Sequence, residues 1–158
     1  MSPERILDAA AALFAERGVN AVGMGEVARA AGCSRATLYR YFPDRHALHV
    51  AFVHREARRI GALVPRDDLA SAVLAAVREV RARPELLAWF SAADAGTTAA
   101  LAQSSEVVEA LGLTMVGDEP AARWLVRVIV SLLIVPGRDE AEERELVERF
   151  VVPGLVSR

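Results

Sequence analysis

Apolar residues recur at three- and four-residue intervals along nearly the whole chain, the period of a helix that buries one face. Ser2-Pro3-Glu4 is a start signal: a capping hydroxyl, a proline at the first helical position and an acid in the first turn. Ile6, Leu7, Ala10, Leu13 and Phe14 then mark an inward face, and Gly18 ends that helix. Gly25 to Ala31 predicts a short second helix with Val27, Ala28 and Ala31 facing inward, stopped by Gly32. Ser34 caps a third helix whose inward pair, Leu38 and Phe42, stands four residues apart. Pro43-Asp44 breaks it and opens a long amphipathic fourth helix, cored by Leu48, Phe52, Val53 and Ile60 and ending near Gly61 or before Pro65.

Beyond residue 65 the same period continues. Leu69 to Arg83 predicts a helix with Leu69, Val73, Ala76, Val77 and Val80 on one face. Pro84 opens the next, carrying Leu86, Leu87, Trp89 and Phe90; Gly96-Thr97-Thr98 is expected to interrupt it before a helical stretch from Thr98 to Leu111. Pro120 to Val135 predicts a strongly apolar helix, Pro136-Gly137 a sharp turn, and Asp139 to Val152 a final amphipathic helix. No stretch alternates as a strand would, and no internal repeat is visible. The expected fold is all-α.

Composition changes this picture in two ways. At 158 residues, 53% hydrophobic, with a mean hydropathy of +0.24, the chain can bury a good core and still have apolar surface for a partner. Its net charge of -2 conceals an asymmetry. Residues 1–60 hold nine arginines against six acids, or +3, whereas residues 61–158 hold ten against fifteen, or -5. A basic head on an acidic body is expected where only the head meets phosphate. All 19 basic residues are arginine, so every cation can make bidentate contacts. The single cysteine, Cys33, excludes an intrachain disulfide and fits a reducing cytoplasm. The apolar run Trp124 to Val135 is too short for a bilayer and contains Arg127, so a membrane role is not expected.

The third helix carries the candidate chemistry. With Leu38 and Phe42 inward, Ala36, Thr37, Tyr39 and Arg40 project outward, because successive residues turn by about 100°. Two short helices joined by a Gly-Cys turn suit the DNA major groove, one crossing the backbone and the next reading base edges. Ser34 and Arg35 stand at the start of the reading helix, where backbone N–H groups favour phosphate and an arginine can reach guanine O6 and N7. A threonine methyl at Thr37 can pack on thymine. Tyr39 and Tyr41 can donate to phosphate, and Arg45 can clamp the neighbouring one. His46, His49 and His54 lack a cysteine or carboxylate to complete a metal set, so neither a metal nor a cofactor is expected. The chain offers no Gly-rich phosphate loop and no nucleophile–base pair, so it is not read as an enzyme.

These segments, ILDAAAALFAERG followed by GEVARAAGCSRATLYRYFPDRHAL, resemble the DNA-binding domain of the tetracycline-repressor (TetR/AcrR) family of transcriptional regulators. Phe14 and Gly18, Val27-Ala28, Gly32-Cys33-Ser34, Leu38-Tyr39-Arg40-Tyr41-Phe42, and Arg45 with Leu48 carry the likeness. Gly23-Met24-Gly25 departs from it, since the family often opens its second helix with threonines whose hydroxyls touch phosphate. The resemblance implies a DNA-binding domain over residues 1–60, with its helix-turn-helix at 23–42. It further implies a helical ligand-binding and dimerisation domain over 61–158, about nine helices in all and a homodimer.

Expected partners are a double-stranded, near-palindromic DNA operator and an apolar small-molecule effector, with Trp89 and Phe90 as candidate cavity residues. The final two helices are expected to pair across the dimer through Trp124, Leu125, Val128, Ile129 and Leu132 and through Leu146, Val147, Phe150 and Val151. A helical protein-interaction or scaffold module, using the same surface without sequence-specific DNA binding, is the alternative.

Overall fold

Side-chain caps written into the sequence start most of the described helices. The Oγ of Ser2 accepts from the Arg5 N–H at the head of α1 (Pro3–Arg17). Asp44, Asp68, Asp118 and Asp139 do the same for α4 (Arg45–Leu63), α5 (Leu69–Arg81), α9 (Glu119–Ile134) and the last described helix, α10 (residues 140–156). Between them lie α2 (Met24–Ala31), α3 (Arg35–Tyr41), α6 (Pro84–Leu87) with a 3-10 turn at Ala88–Phe90, α7 (Ala95–Gln103) and α8 (residues 105–116). The computed structural model describes residues 1–90 and 95–156, and among these every regular element is a helix.

Two helices each contain a widened turn. The α8 helix runs Ser105–Val107, a π-helical Val108–Gly112, then Leu113–Val116; α10 runs Glu140–Leu146, a π-helical Val147–Val151, then Val152–Val156. The sequence places an interruption at Gly96-Thr97-Thr98. In the structure Gly96 and Thr98 lie inside α7, the junction between the Pro84 helix and α7 lies outside the described residues, and a further break stands at Ser104, whose Oγ accepts from the Val107 N–H and starts α8. A serine side chain able to cap outweighed a glycine that only weakens a helix.

Helices α1 to α4 enclose Ile6, Leu7, Ala10, Phe14, Val27, Ala28, Leu38 and Leu48, all buried. That core does not stop at the head. Phe14 of α1 meets Phe52 of α4 edge-on at 5.3 Å and Trp89 at 5.6 Å, while Phe52 and Trp89 stack at 5.7 Å. One apolar cluster therefore runs from α1 through the aromatic seam into α5, α9 and α10.

A polar network crosses the same junction. Glu56 of α4, only 4% exposed, accepts from Arg55 Nε at 2.8 Å and Arg59 Nη1 at 3.0 Å, with Arg83 Nη1 at 3.4 Å. Arg55 reaches on to Asp8 at 2.8 Å and Glu4 at 3.2 Å, tying α4 to α1.

Candidate nucleic-acid interface

The α2–turn–α3 unit is built from local signals. Gly32 ends α2 at φ 69°, a left-handed conformation that costs glycine little, and its neighbour Cys33 returns its N–H to the Ala28 carbonyl at 2.9 Å. Glu26 accepts from the Gly23 N–H at 3.0 Å and pairs with Arg17 of α1, fixing α2 against the first helix. That backbone hydrogen bond, and then the guanidinium, hold the Glu26 carboxyl below the usual carboxylate range. Ser34 caps α3 by accepting from the Thr37 N–H at 3.1 Å, and its Oγ lies 3.0 Å from Thr37 Oγ1.

With Leu38 fully enclosed and Phe42 buried behind it, Ser34, Arg35, Ala36, Tyr39 and Arg40 are exposed and Thr37 is half-buried. Arg29, Arg35 and Arg40 have no ion pair among the described residues, whereas Glu26, the acid of α2, is paired. The surface of the two helices is thus cationic with its negative charge already engaged.

Tyr41 and Arg45 differ from expectation. Both are half-buried; Tyr41 donates its hydroxyl to the Met1 carbonyl at 2.8 Å, and Arg45 donates Nη2 to the Val19 carbonyl at 2.9 Å. These donors hold the chain start and the α1–α2 loop rather than facing outward. Cys33 is half-buried against the core, consistent with packing. His49 packs edge-on to Phe14 at 5.6 Å and Trp89 at 5.1 Å, and among the described residues no group of three potential metal ligands forms.

In the body, Trp89 and Phe90 line a cavity of about 80 Å³ whose wall also includes Phe52, Glu56, Ile60, Leu111, Val126 and Leu133. The Trp89 indole N–H is buried and has no hydrogen-bond partner among the described residues, and the Trp89 carbonyl accepts from Thr98 Oγ1 at 2.6 Å. Sequence periodicity found the two aromatics but not Glu56, which reads as one more polar residue on an amphipathic helix.

The expected interface stripes are divided. Leu125, Ile129, Leu132, Val147 and Val151 are buried in the protomer, and Val128 is half-buried. Trp124 at 51%, Phe150 at 65% and Leu146 remain exposed, joined by Ile134 and Val135, which the sequence reading left out. Among the described residues no helix is long and apolar enough to cross a membrane.

An all-helical chain with a capped, outward-facing α3 after a glycine turn belongs to the class of helix-turn-helix DNA-binding proteins. The description "Bacterial regulatory proteins, tetR family" matches residues 6–52. An uncharacterised HTH-type transcriptional regulator of Mycobacterium tuberculosis is 44% identical over 171 residues, covering 97% of this chain and 85% of the relative. The HTH-type transcriptional repressor KstR of Mycolicibacterium smegmatis is 45% identical over 67 residues, 42% of this chain and 33% of that protein. Among solved structures, a TetR transcriptional regulator from Rhodococcus sp. RHA1 superposes with a TM-score of 0.68 at 30% identity, covering 98% of this chain and 94% of that one. The chain belongs to the TetR family of transcriptional regulators: it is a DNA-binding regulator and not an enzyme.

Proposed function

We propose that the chain is a ligand-responsive repressor, acting in the cytoplasm as a homodimer on a near-palindromic operator. Residues 1–60 form the DNA-binding head and 61–158 the ligand-binding and dimerisation body. The observation that carries the reading is the exposed face of α3, with Arg35 and Arg40 unpaired by carboxylates among the described residues and Leu38 anchoring the helix behind them. Two such helices, about 34–36 Å apart in the dimer, enter successive major grooves. Ser34, Ala36, Thr37, Tyr39 and Arg40 supply the contacting surface, and Tyr41 and Arg45 hold it in place from behind.

The dimer forms through the exposed residues of α9 and α10, chiefly Trp124, Leu146 and Phe150. The apolar cavity beside Trp89 receives the effector, and Phe52, shared between cavity wall and head core, carries its influence toward α1. Induction is then a population shift sized by the effector's differential affinity for the two head spacings.

Sequence selection of bound duplex by the purified protein tests this, followed by affinity measurement against salt. A two-half-site operator should emerge, and its affinity should fall steeply as salt rises because each neutralised phosphate releases counterions. If no duplex binds even at low salt, the surface instead serves a protein partner and the repressor reading fails.

A further inference from the structure

Gly25 lies one residue inside α2, a position where alanine would make a better helix. The structure contains a reason for the glycine. A methyl group there would sit 2.6 Å from Arg35 Nη2 and 3.1 Å from both Cζ and Nε. The guanidinium of Arg35, the first residue of α3, is therefore folded back flat against the first turn of α2, in the space a side chain at residue 25 would fill. It has no carboxylate partner among the described residues and remains exposed.

We propose that Gly25 is a positioning residue for Arg35, and that Arg35 so placed is a phosphate clamp and not a reader of base edges. In helix-turn-helix docking the first helix of the unit crosses the sugar–phosphate backbone while the second lies in the groove. An arginine anchored on α3 but laid over α2 presents its donors on the backbone side. The groove side is left to Ala36, Thr37, Tyr39 and Arg40. This departs from the expectation that Arg35 bonds guanine. It also offers an answer to the missing hydroxyls at Gly23-Met24-Gly25, because a cation from the next helix occupies that position. The inference rests on the DNA-binding reading above.

The test compares the wild-type protein with Arg35→Ala, Gly25→Ala and the double variant, on the selected operator and on a random duplex, across a range of salt. Arg35→Ala should weaken both duplexes by the same factor, about tenfold for one charge-assisted contact, and flatten the log–log salt slope by about 0.9. Gly25→Ala should weaken both in the same sense although the arginine is intact. The double variant should be no weaker than Arg35→Ala, since the two act through one contact. Gly25→Ala should also hold or raise Tm, because only a flexible side chain must move and the helix gains a better residue.

Loss confined to the operator would make Arg35 a base reader and overturn the assignment. So would additive losses, unchanged binding by Gly25→Ala, or a fall in its Tm, which would show the fold rather than the arginine needs the glycine. Failure of the wild type to bind either duplex would overturn the DNA reading itself, a result distinct from any of these.

Discussion

Glu56 is a carboxylate in the wall of an apolar cavity, tolerated because guanidiniums from Arg55, Arg59 and Arg83 converge on it. Removing one partner of such a buried pair is costly because the other charges stay behind. Glu56→Ala should lower the unfolding free energy by about 3 kcal/mol, read from urea denaturation, and Glu56→Gln by less because it retains a hydrogen-bond acceptor. A loss within ~0.5 kcal/mol, the range of ordinary surface changes, would show that the network is decorative. Residues like Leu38 and Phe42 were legible in the sequence because a helix repeats every few positions and their burial is set by near neighbours. Glu56, Tyr41 and Arg45 were not legible in this way. Their partners Arg83, Met1 and Val19 lie 27, 40 and 26 residues away, and no local pattern encodes a contact made by folding.

At the scale of elements, the turn between α9 and α10 is clamped onto α5 by a two-pronged ion pair, with Arg78 and Glu140 paired beside it at 2.8 Å. Arg81 donates Nη1 and Nη2 to the two oxygens of Glu143 at 2.9 and 2.7 Å, and Nη2 also reaches the Leu132 carbonyl at 2.9 Å. Gly137 adds its N–H to Glu143 at 2.9 Å. The guanidinium is the main cause holding the Glu143 carboxyl below its usual 4.5. A carboxyl with a lowered folded pKa contributes stability that is fully present above its unfolded value and is lost as pH falls through the folded one. Glu143→Gln should therefore melt lower than wild type at neutral pH, and the gap in Tm should close as pH falls below about 4.5, the ordinary carboxyl value. A gap that stays constant down through that range would disprove the linkage. Helix starts were legible because aspartates and serines cap with their own side chains, which accept from a backbone N–H only three residues on. The helical state of Gly96 and the break at Ser104 were not legible, because a glycine marks weakness without saying whether packing will override it.

For the whole molecule, the division of the apolar stripes separates residues that hold the protomer together from those free to meet a partner. Periodicity grouped Leu125 with Trp124 and Val147 with Phe150, since neighbouring positions on a helix share an apolar half. Which of them faces inward depends on where α5 lies, and that is not written in α9 or α10. Changing Trp124 and Phe150 together to glutamate should leave Tm nearly unchanged, since both are exposed, but convert the proposed dimer to monomer in sedimentation. Affinity for a two-half-site operator should fall much further than affinity for an isolated half-site. A dimer that survives both charges would place the interface elsewhere.

The aromatic seam of Phe14, Phe52 and Trp89 also sets what this lineage can change. Phe52 and Trp89 belong at once to the cavity wall and to the support of α1, so a substitution there that altered the cavity would disturb the head in the same step. Val126, Val130 and Leu133 line the cavity from α9, outside the ring contacts to Phe14. Variation that retunes the pocket is expected to accumulate on that side, while the rings opposite stay fixed because they answer to two demands.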